Sequence, residues 1–132
     1  MSTFRAEVGS MLNQQLREMF RMMKHPTPFR LWIAEHLEER YQQRVEEAHK
    51  REFVDLLKRI PTVGICELLY YHTRHILGED ITKIEFVNGD VIIPFNISKD
   101  FIYLNTVFVR APEQDRSEYR QIDLSVARLA QR

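Results

Sequence analysis

The feature that most constrains this sequence is a change of hydrophobic period near Gly78, from helical spacing before it to strand-like alternation after it. Apolar and β-branched runs at Ile81–Val87 and Asp90–Phe95 flank an Asn-Gly dipeptide at residues 88–89. Asn and Gly tolerate the positive φ that both central positions of a type I′ turn require. The pattern therefore predicts a β-hairpin, and the aromatic and β-branched run Phe101–Val109 predicts a third strand.

The first half of the chain has the spacing of amphipathic helices. Apolar residues recur with a helical period from Thr3 to Lys24, and Pro26 and Pro28 prevent that helix from continuing. Thr27 is a natural N-cap with a proline after it, so we expect a second helix to begin there and to run toward Ile60.

The second helix carries two apolar sets that do not share a face. Their centres lie about 130° apart around a straight helix. The pattern predicts a break near His49–Arg51, or one long helix whose halves contact different partners. After the interrupting segment Pro61–Gly64, a third helix is expected from Ile65 to Ile76, with Gly78 as its C-terminal glycine.

Together these patterns predict an α+β fold with three N-terminal helices, a three-stranded antiparallel β-meander and a short C-terminal helix. The C-terminal helix is expected from the spacing of Tyr119, Ile122, Val126 and Leu129, and a frayed tail is the alternative. We expect a methionine-rich helix at residues 1–25 that can act as a docking arm, an α+β core at 26–110 and a helix or tail at 111–132.

The predicted sheet has apolar residues on both faces. Val91, Ile93 and Phe95 point to one face and Ile92 to the other. Helices that follow one another in the chain are expected to cover one face only. A second copy of the chain, or another protein, would then cover the remaining face or an edge.

Composition excludes several classes of function. The chain has 19 basic and 19 acidic residues, so its bulk charge does not attract nucleic acid or an anionic membrane. One cysteine excludes a disulfide framework, and no apolar run is long enough for a membrane span. We expect an intracellular, cytoplasmic protein without a membrane partner, and a nuclear location fits the same composition.

Enzyme signatures are missing from the sequence. With four glycines, it has no phosphate-binding glycine loop and no nucleophile elbow. Cys66 lies beside an apolar helix face, where nothing nearby favours the thiolate. Glu67 lies about 140° from His72 around the helix, so Glu67, His72 and His75 are not expected to converge on one metal ion. The prediction is a non-enzymatic protein with no catalytic residue, no metal site and no cofactor.

Methionine is concentrated in the first helix, which carries four of the five methionines of the chain. A methionine surface is flexible and polarizable and adapts to a protein partner, whereas plain core packing is the alternative. The candidate partner-binding residues are Met11, Leu12, Met19, Met22 and Met23. The leading prediction is an interaction or regulatory adaptor that forms a homodimer, or binds another protein, through this helix and the sheet face or edge.

Basic residues on the first two helices indicate an alternative function, RNA or DNA binding. Residues 1–30 carry five basic and two acidic side chains, a local net charge of +3. Most of these are arginine, whose planar guanidinium suits phosphate groups. A solvated face opposite the apolar one explains the same charges. The candidate nucleic-acid-binding residues are Arg17, Arg21, Lys24, Arg40, Arg44 and Arg51, of which the last three align only if the second helix is straight.

Overall fold

The computed structural model of this chain describes residues 3–69, 81–111 and 119–125. Its elements, in chain order, are α1 (Thr3–Met22), β1 (Arg30–Ile33), α2 (Glu35–Arg44), α3 (Glu47–Arg59), a π-helical turn (Ile60–Gly64), β2 (Ile81–Asn88), β3 (Val91–Ser98), β4 (Phe101–Leu104), β5 (Phe108–Val109) and β6 (Arg120–Asp123). The predicted α+β class is confirmed.

The sheet is mixed and has the strand order β1-β4-β3-β2-β6, with β5 pairing β3. The antiparallel ladders β2–β3 and β3–β4 correspond to part of the predicted meander, but the predicted third strand Phe101–Val109 is divided into β4 and β5. The prediction of three strands is wrong at both sides, because β1 adds parallel to β4 and β6 adds parallel to β2. Each added strand has only four residues and pairs with a segment far along the chain, so local periodicity does not reveal it.

The strand β1 occupies the start of the predicted second helix, and that part of the helix prediction is wrong. Leu31 and Ile33 are buried whereas Arg30 and Trp32 are exposed, which is the alternation of a strand. The Arg30 N–H donates to the carbonyl oxygen of Asp100 at 2.8 Å, as the first bond to the β4 side. The apolar residues that follow have helical spacing, so the sequence pattern predicts a helix over this short alternation.

The rest of the predicted second helix is divided into α2 and α3. Val45 is extended, with φ −96° and ψ 98°, and the extended Glu46 is the N-cap of α3. The break therefore precedes the expected position at His49–Arg51. It lets both apolar sets reach the core, since α2 buries Leu37 and α3 buries Phe53.

The segment Pro61–Gly64 was expected to interrupt the helix, but it widens the helix into a π-helical turn. The Ile65 N–H donates to the carbonyl oxygen of Ile60, five residues back. The chain remains helical through residues 65–69, and the rest of the predicted third helix lies outside the described residues.

The predicted hairpin is confirmed, with its turn displaced by one residue. Asn88 pairs with Val91, so Gly89 and Asp90 form the two-residue loop. Gly89 has a φ of 62° and Asp90 has no positive φ, which is the pattern of a type II′ turn. The Asn88 side chain bonds instead to α3, where its Nδ2 donates to the carbonyl oxygen of Glu52 at 2.9 Å.

The C-terminal helix prediction is wrong for the described part of that segment. Arg120–Asp123 form β6, and Ile122 is buried in register with Phe86 of β2. Val126 and Leu129 lie outside the described residues.

The main core lies between the helices and one face of the sheet. Its members come from every helix and from the inward positions of the strands, and include Leu12, Leu16, Phe53, Phe86, Phe95 and Ile102. On the opposite face of the sheet, Val87 and Ile92 are buried as well. That part of the face therefore does not present an apolar surface to a partner.

Candidate functional site

One flank of α1 closes the outer edge of β1. The Asn13 Nδ2 donates to the carbonyl oxygen of Leu31 at 2.9 Å, and the Leu31 N–H donates to Asn13 Oδ1 at 2.8 Å. The Arg5 Nε donates to the carbonyl oxygen of Ile33 at 3.0 Å. These side chains bind backbone groups that an added strand would use, so α1 protects this edge from pairing with another chain.

The other flank of α1 is open. A groove of about 580 Å³ lies between α1 and the junction of α3 with the π-helical turn. We call it the methionine groove, and its lining includes Met11, Gln15, Glu18, Met19, Met22 and Lys58. Met22 is 79% exposed and Met11 is 37% exposed. The groove therefore presents flexible apolar side chains to the surroundings.

Gln15 lines this groove and also carries a buried, unsatisfied polar atom. Its Oε1 is buried and has no hydrogen-bond donor within the described part of the chain. A buried acceptor that lacks a donor costs about 1–3 kcal/mol. Because this oxygen is buried, an occupant of the methionine groove that supplies an N–H can satisfy it only after the Gln15 amide turns toward the groove.

The predicted partner-binding residues lie in three different environments. Met11, Met19 and Met22 line the methionine groove. Met23 is 49% exposed in the turn after α1 and does not line the groove. Leu12 is fully buried in the core, so in this structure it is not available to a partner.

Two of the three predicted basic residues on or next to α1, Arg21 and Lys24, take part in local structure. Arg21 Nη2 donates to Glu18 Oε2 at 2.6 Å, and this bond raises the pKa of Arg21. Lys24 follows the end of α1 and has a positive φ of 57°. Its N–H donates to the carbonyl oxygen of Arg21, and the His25 N–H donates to the carbonyl oxygen of Phe20. That is the Schellman pattern of helix termination. Arg17 is exposed.

The arginines of the predicted second helix do not form one row. Because α2 ends at Arg44 and α3 begins at Glu47, Arg51 lies on a different helix from Arg40 and Arg44, and the straight alignment is wrong. The Arg44 guanidinium lies 4.6 Å from the centroid of the Phe108 ring. Burial, and then repulsion from Arg40, lower the pKa of Arg44.

The described residues that could be nucleophiles or metal ligands do not form a catalytic or metal site. Burial, and then the charge of Glu67, raise the pKa of the Cys66 thiol, whose Sγ lies 3.5 Å from Met19 Sδ. Both effects disfavour the thiolate, which is the reactive form of cysteine. Among the described residues, no group of three His, Cys, Asp or Glu side chains could hold a metal ion. His72 and His75 lie outside the described residues.

An aromatic surface on the sheet was missed by the sequence analysis. Trp32 of β1 is 48% exposed, and its neighbours on the same sheet face are Phe101 and Tyr103 of β4. We call these three residues the aromatic face. The alternation of exposed and buried residues from Arg30 to Ile33 was the signal that could have revealed it.

Comparison with known proteins gives no match, whether with protein-family models, with curated proteins or with solved structures. Among the described helices, none is both long enough and apolar enough to cross a membrane.

Proposed function

We propose that this chain is a small non-enzymatic interaction protein that forms a homodimer through the methionine groove. The observation that carries the proposal is an apolar groove beside Gln15, whose buried Oε1 has no donor among the described residues. Burial of apolar surface favours association by about 25 cal/mol per Å². Methionine side chains adapt their shape to the surface that covers them.

The spacing of the groove residues on α1 supports a second copy as the occupant. Positions 11, 15, 18 and 22 alternate steps of four and three, which is the spacing of a helix-packing seam. In an antiparallel pair of α1 helices with a two-fold axis between positions 16 and 17, Met11 faces Met22 of the partner subunit. The same axis sets Gln15 opposite Glu18 of the partner subunit. One set of residues therefore forms both sides of the interface.

Polar groups in the groove are compatible with this pairing. In this pairing Gln15 lies opposite Glu18 of the partner subunit, and its Nε2 can donate to that carboxylate. Lys58 adds a positive charge to the groove wall opposite the Glu18 carboxylates. The zero net charge of the chain leaves self-association weakly opposed.

The test is the substitution Met22→Asp, measured by size-exclusion chromatography with light scattering. We expect the wild type to have twice the 15.9 kDa chain mass. The substitution buries a carboxylate at two symmetric positions, so the dimer dissociation constant should rise by ~100-fold or more. The protomer should still fold, because Met22 is largely exposed.

The matched control is Met23→Asp, which adds the same charge at the same helix end but outside the groove. It should leave the dimer intact. A wild type that remains monomeric at high micromolar concentration contradicts the proposal. A Met22→Asp variant that dimerises as well as the wild type would place the interface elsewhere.

A further inference from the structure

The sheet carries two rows of side chains at its β1 side, in which the β1 residues are exposed and the β4 and β3 residues are half-buried. Trp32, Tyr103 and Asn96 form one row across β1, β4 and β3, since their backbones are in register. Arg30, Phe101 and Ser98 form the next row in the same way. Residues paired in register point to the same face of a sheet. All six side chains therefore lie on the face opposite the main core, beside one another.

The rings of the aromatic face adjoin one another, with the Trp32 and Phe101 rings nearly perpendicular at 86° and the Phe101 and Tyr103 rings tilted by 32°. The Phe101 centroid lies 6.5 Å from that of Trp32 and 5.7 Å from that of Tyr103. The Arg5 guanidinium carbon lies 5.9 Å from the Trp32 ring centroid, on the side of α1. Trp32 remains about half exposed in this setting. Because Arg5 lies over one face of the Trp32 ring, a planar base would stack on the exposed part of the ring that Arg5 does not cover.

The charge around the aromatic face is positive, although the chain as a whole is neutral. Arg30 lies within the rows, Arg5 lies beside Trp32, and the turn between β3 and β4 adds Lys99 and Asp100. Three basic residues and one acidic residue give a local net charge of +2. Asn96 and Ser98 add hydrogen-bonding groups in the same rows. The combination is stacking surface, positive charge and neutral polar groups.

We propose that the aromatic face binds single-stranded nucleic acid, with unpaired bases stacked on Trp32 and its neighbouring rings and the phosphates near Arg30 and Lys99. Aromatic side chains on an open sheet face provide base stacking, and basic residues nearby attract the backbone. A duplex keeps its bases paired and stacked internally, so it cannot use this surface. The site does not depend on the proposed dimer, because the methionine groove lies on the other flank of α1.

Trp32 is the only tryptophan of the chain, so its fluorescence reports directly on the proposed site. We would titrate the full chain with short oligo-dT or oligo-U at about 50 mM salt, where phosphate contacts are strong. Stacking of a base on Trp32 should quench its emission. A duplex of equal length should give little quenching. Binding should weaken as salt is raised.

Variants separate stacking from charge, with binding followed by the anisotropy of a labelled oligonucleotide. Trp32→Ala should weaken binding about ten-fold, whereas Trp32→Phe should retain most of it. Arg30→Glu should weaken binding and reduce its salt dependence. The control Arg17→Glu makes the same charge change at an exposed position of α1 and should leave binding unchanged.

Several results would overturn the proposal. They are no binding of either oligonucleotide by the wild type, equal binding of duplex and single strand, and unchanged binding by Trp32→Ala. Loss of binding in Arg17→Glu but not in Arg30→Glu would also overturn it, since binding would then depend on the basic residues of α1. Trp32 and Arg30 are exposed, so their variants should fold, which circular dichroism would verify.

Discussion

The two flanks of α1 differ in how completely their polar groups are satisfied. On the β1 flank, the Asn13 amide binds both the N–H and the carbonyl oxygen of Leu31. On the groove flank, the Gln15 amide has a buried oxygen that no described residue donates to, and Met11 and Met22 nearby are exposed. One helix therefore carries a completed surface and an incomplete one.

The difference indicates where a partner would bind this molecule. A sheet edge is a common place for self-association because its backbone groups are unpaired. Here Asn13 and Arg5 occupy those groups on β1, so a partner strand gains little there. The methionine groove has the opposite character, since apolar surface and an unpaired acceptor both gain from being covered.

The largest expected effect on stability comes from Asn13→Leu, which removes the hydrogen bonds between α1 and the edge of β1. The variant loses the hydrogen bonds to Leu31 and the bond to the Gly9 carbonyl oxygen. We expect the free energy of unfolding to fall by about 2–4 kcal/mol, measured by urea denaturation. Ser10→Ala, an exposed neighbour on the same flank, should change it by no more than about 0.5 kcal/mol. A small effect of Asn13→Leu would show that the edge bonds contribute little.

On the groove flank we expect a substitution to raise the free energy of unfolding. Gln15→Leu removes the unsatisfied Oε1 and adds apolar contact, so it should raise the free energy of unfolding of the monomer by about 1 kcal/mol. The measurement requires protein concentrations below the dimer dissociation constant. Gln14→Leu, at an exposed position that also lines the groove, is the control for burial and should have little effect on the monomer. Destabilisation by Gln15→Leu would mean that its amide is satisfied in solution.

The smallest expected effect is on the reactivity of the Cys66 thiol, which contacts Met19 of the methionine groove. Burial and Glu67 raise the pKa of Cys66, so the thiolate fraction at pH 8 is lower than in an unfolded chain. Alkylation by iodoacetamide should therefore be several-fold slower in the native protein than in urea, and the native rate should still be rising above pH 9. Equal native and unfolded rates would show that Met19 and its neighbours leave the thiol accessible.

Elements with local contacts were predictable from the sequence. The period of α1 and the alternation of β2 and β3 depend on residues close in the chain, and both elements are present. The turn was displaced by one residue because Asn88 uses its side chain to bond α3 rather than to form the loop. That contact joins residues far apart in the sequence, so turn propensity alone does not predict it.

The candidate site was predictable only in part. The sequence identified the methionines of α1, but Met22 and Met23 are neighbours and only the packing against α3 shows which of them lines the groove. The aromatic face was not predictable, because it needs the parallel pairing of β1 with β4, whose residues are far apart in the chain. A helical reading of Phe29–Ile60 placed Trp32 on a helix instead.

By itself, the sequence determined the α+β class, the amphipathic α1 and the central hairpin, because short-range periodicity encodes which residues are buried. Tertiary structure alone decided the parallel strands β1 and β6, the break at Val45 and the closure of the β1 edge by Asn13 and Arg5. These features depend on long-range pairing and on hydrogen bonds between distant segments. No local pattern records such contacts, since their energy exists only once the chain has brought the segments together.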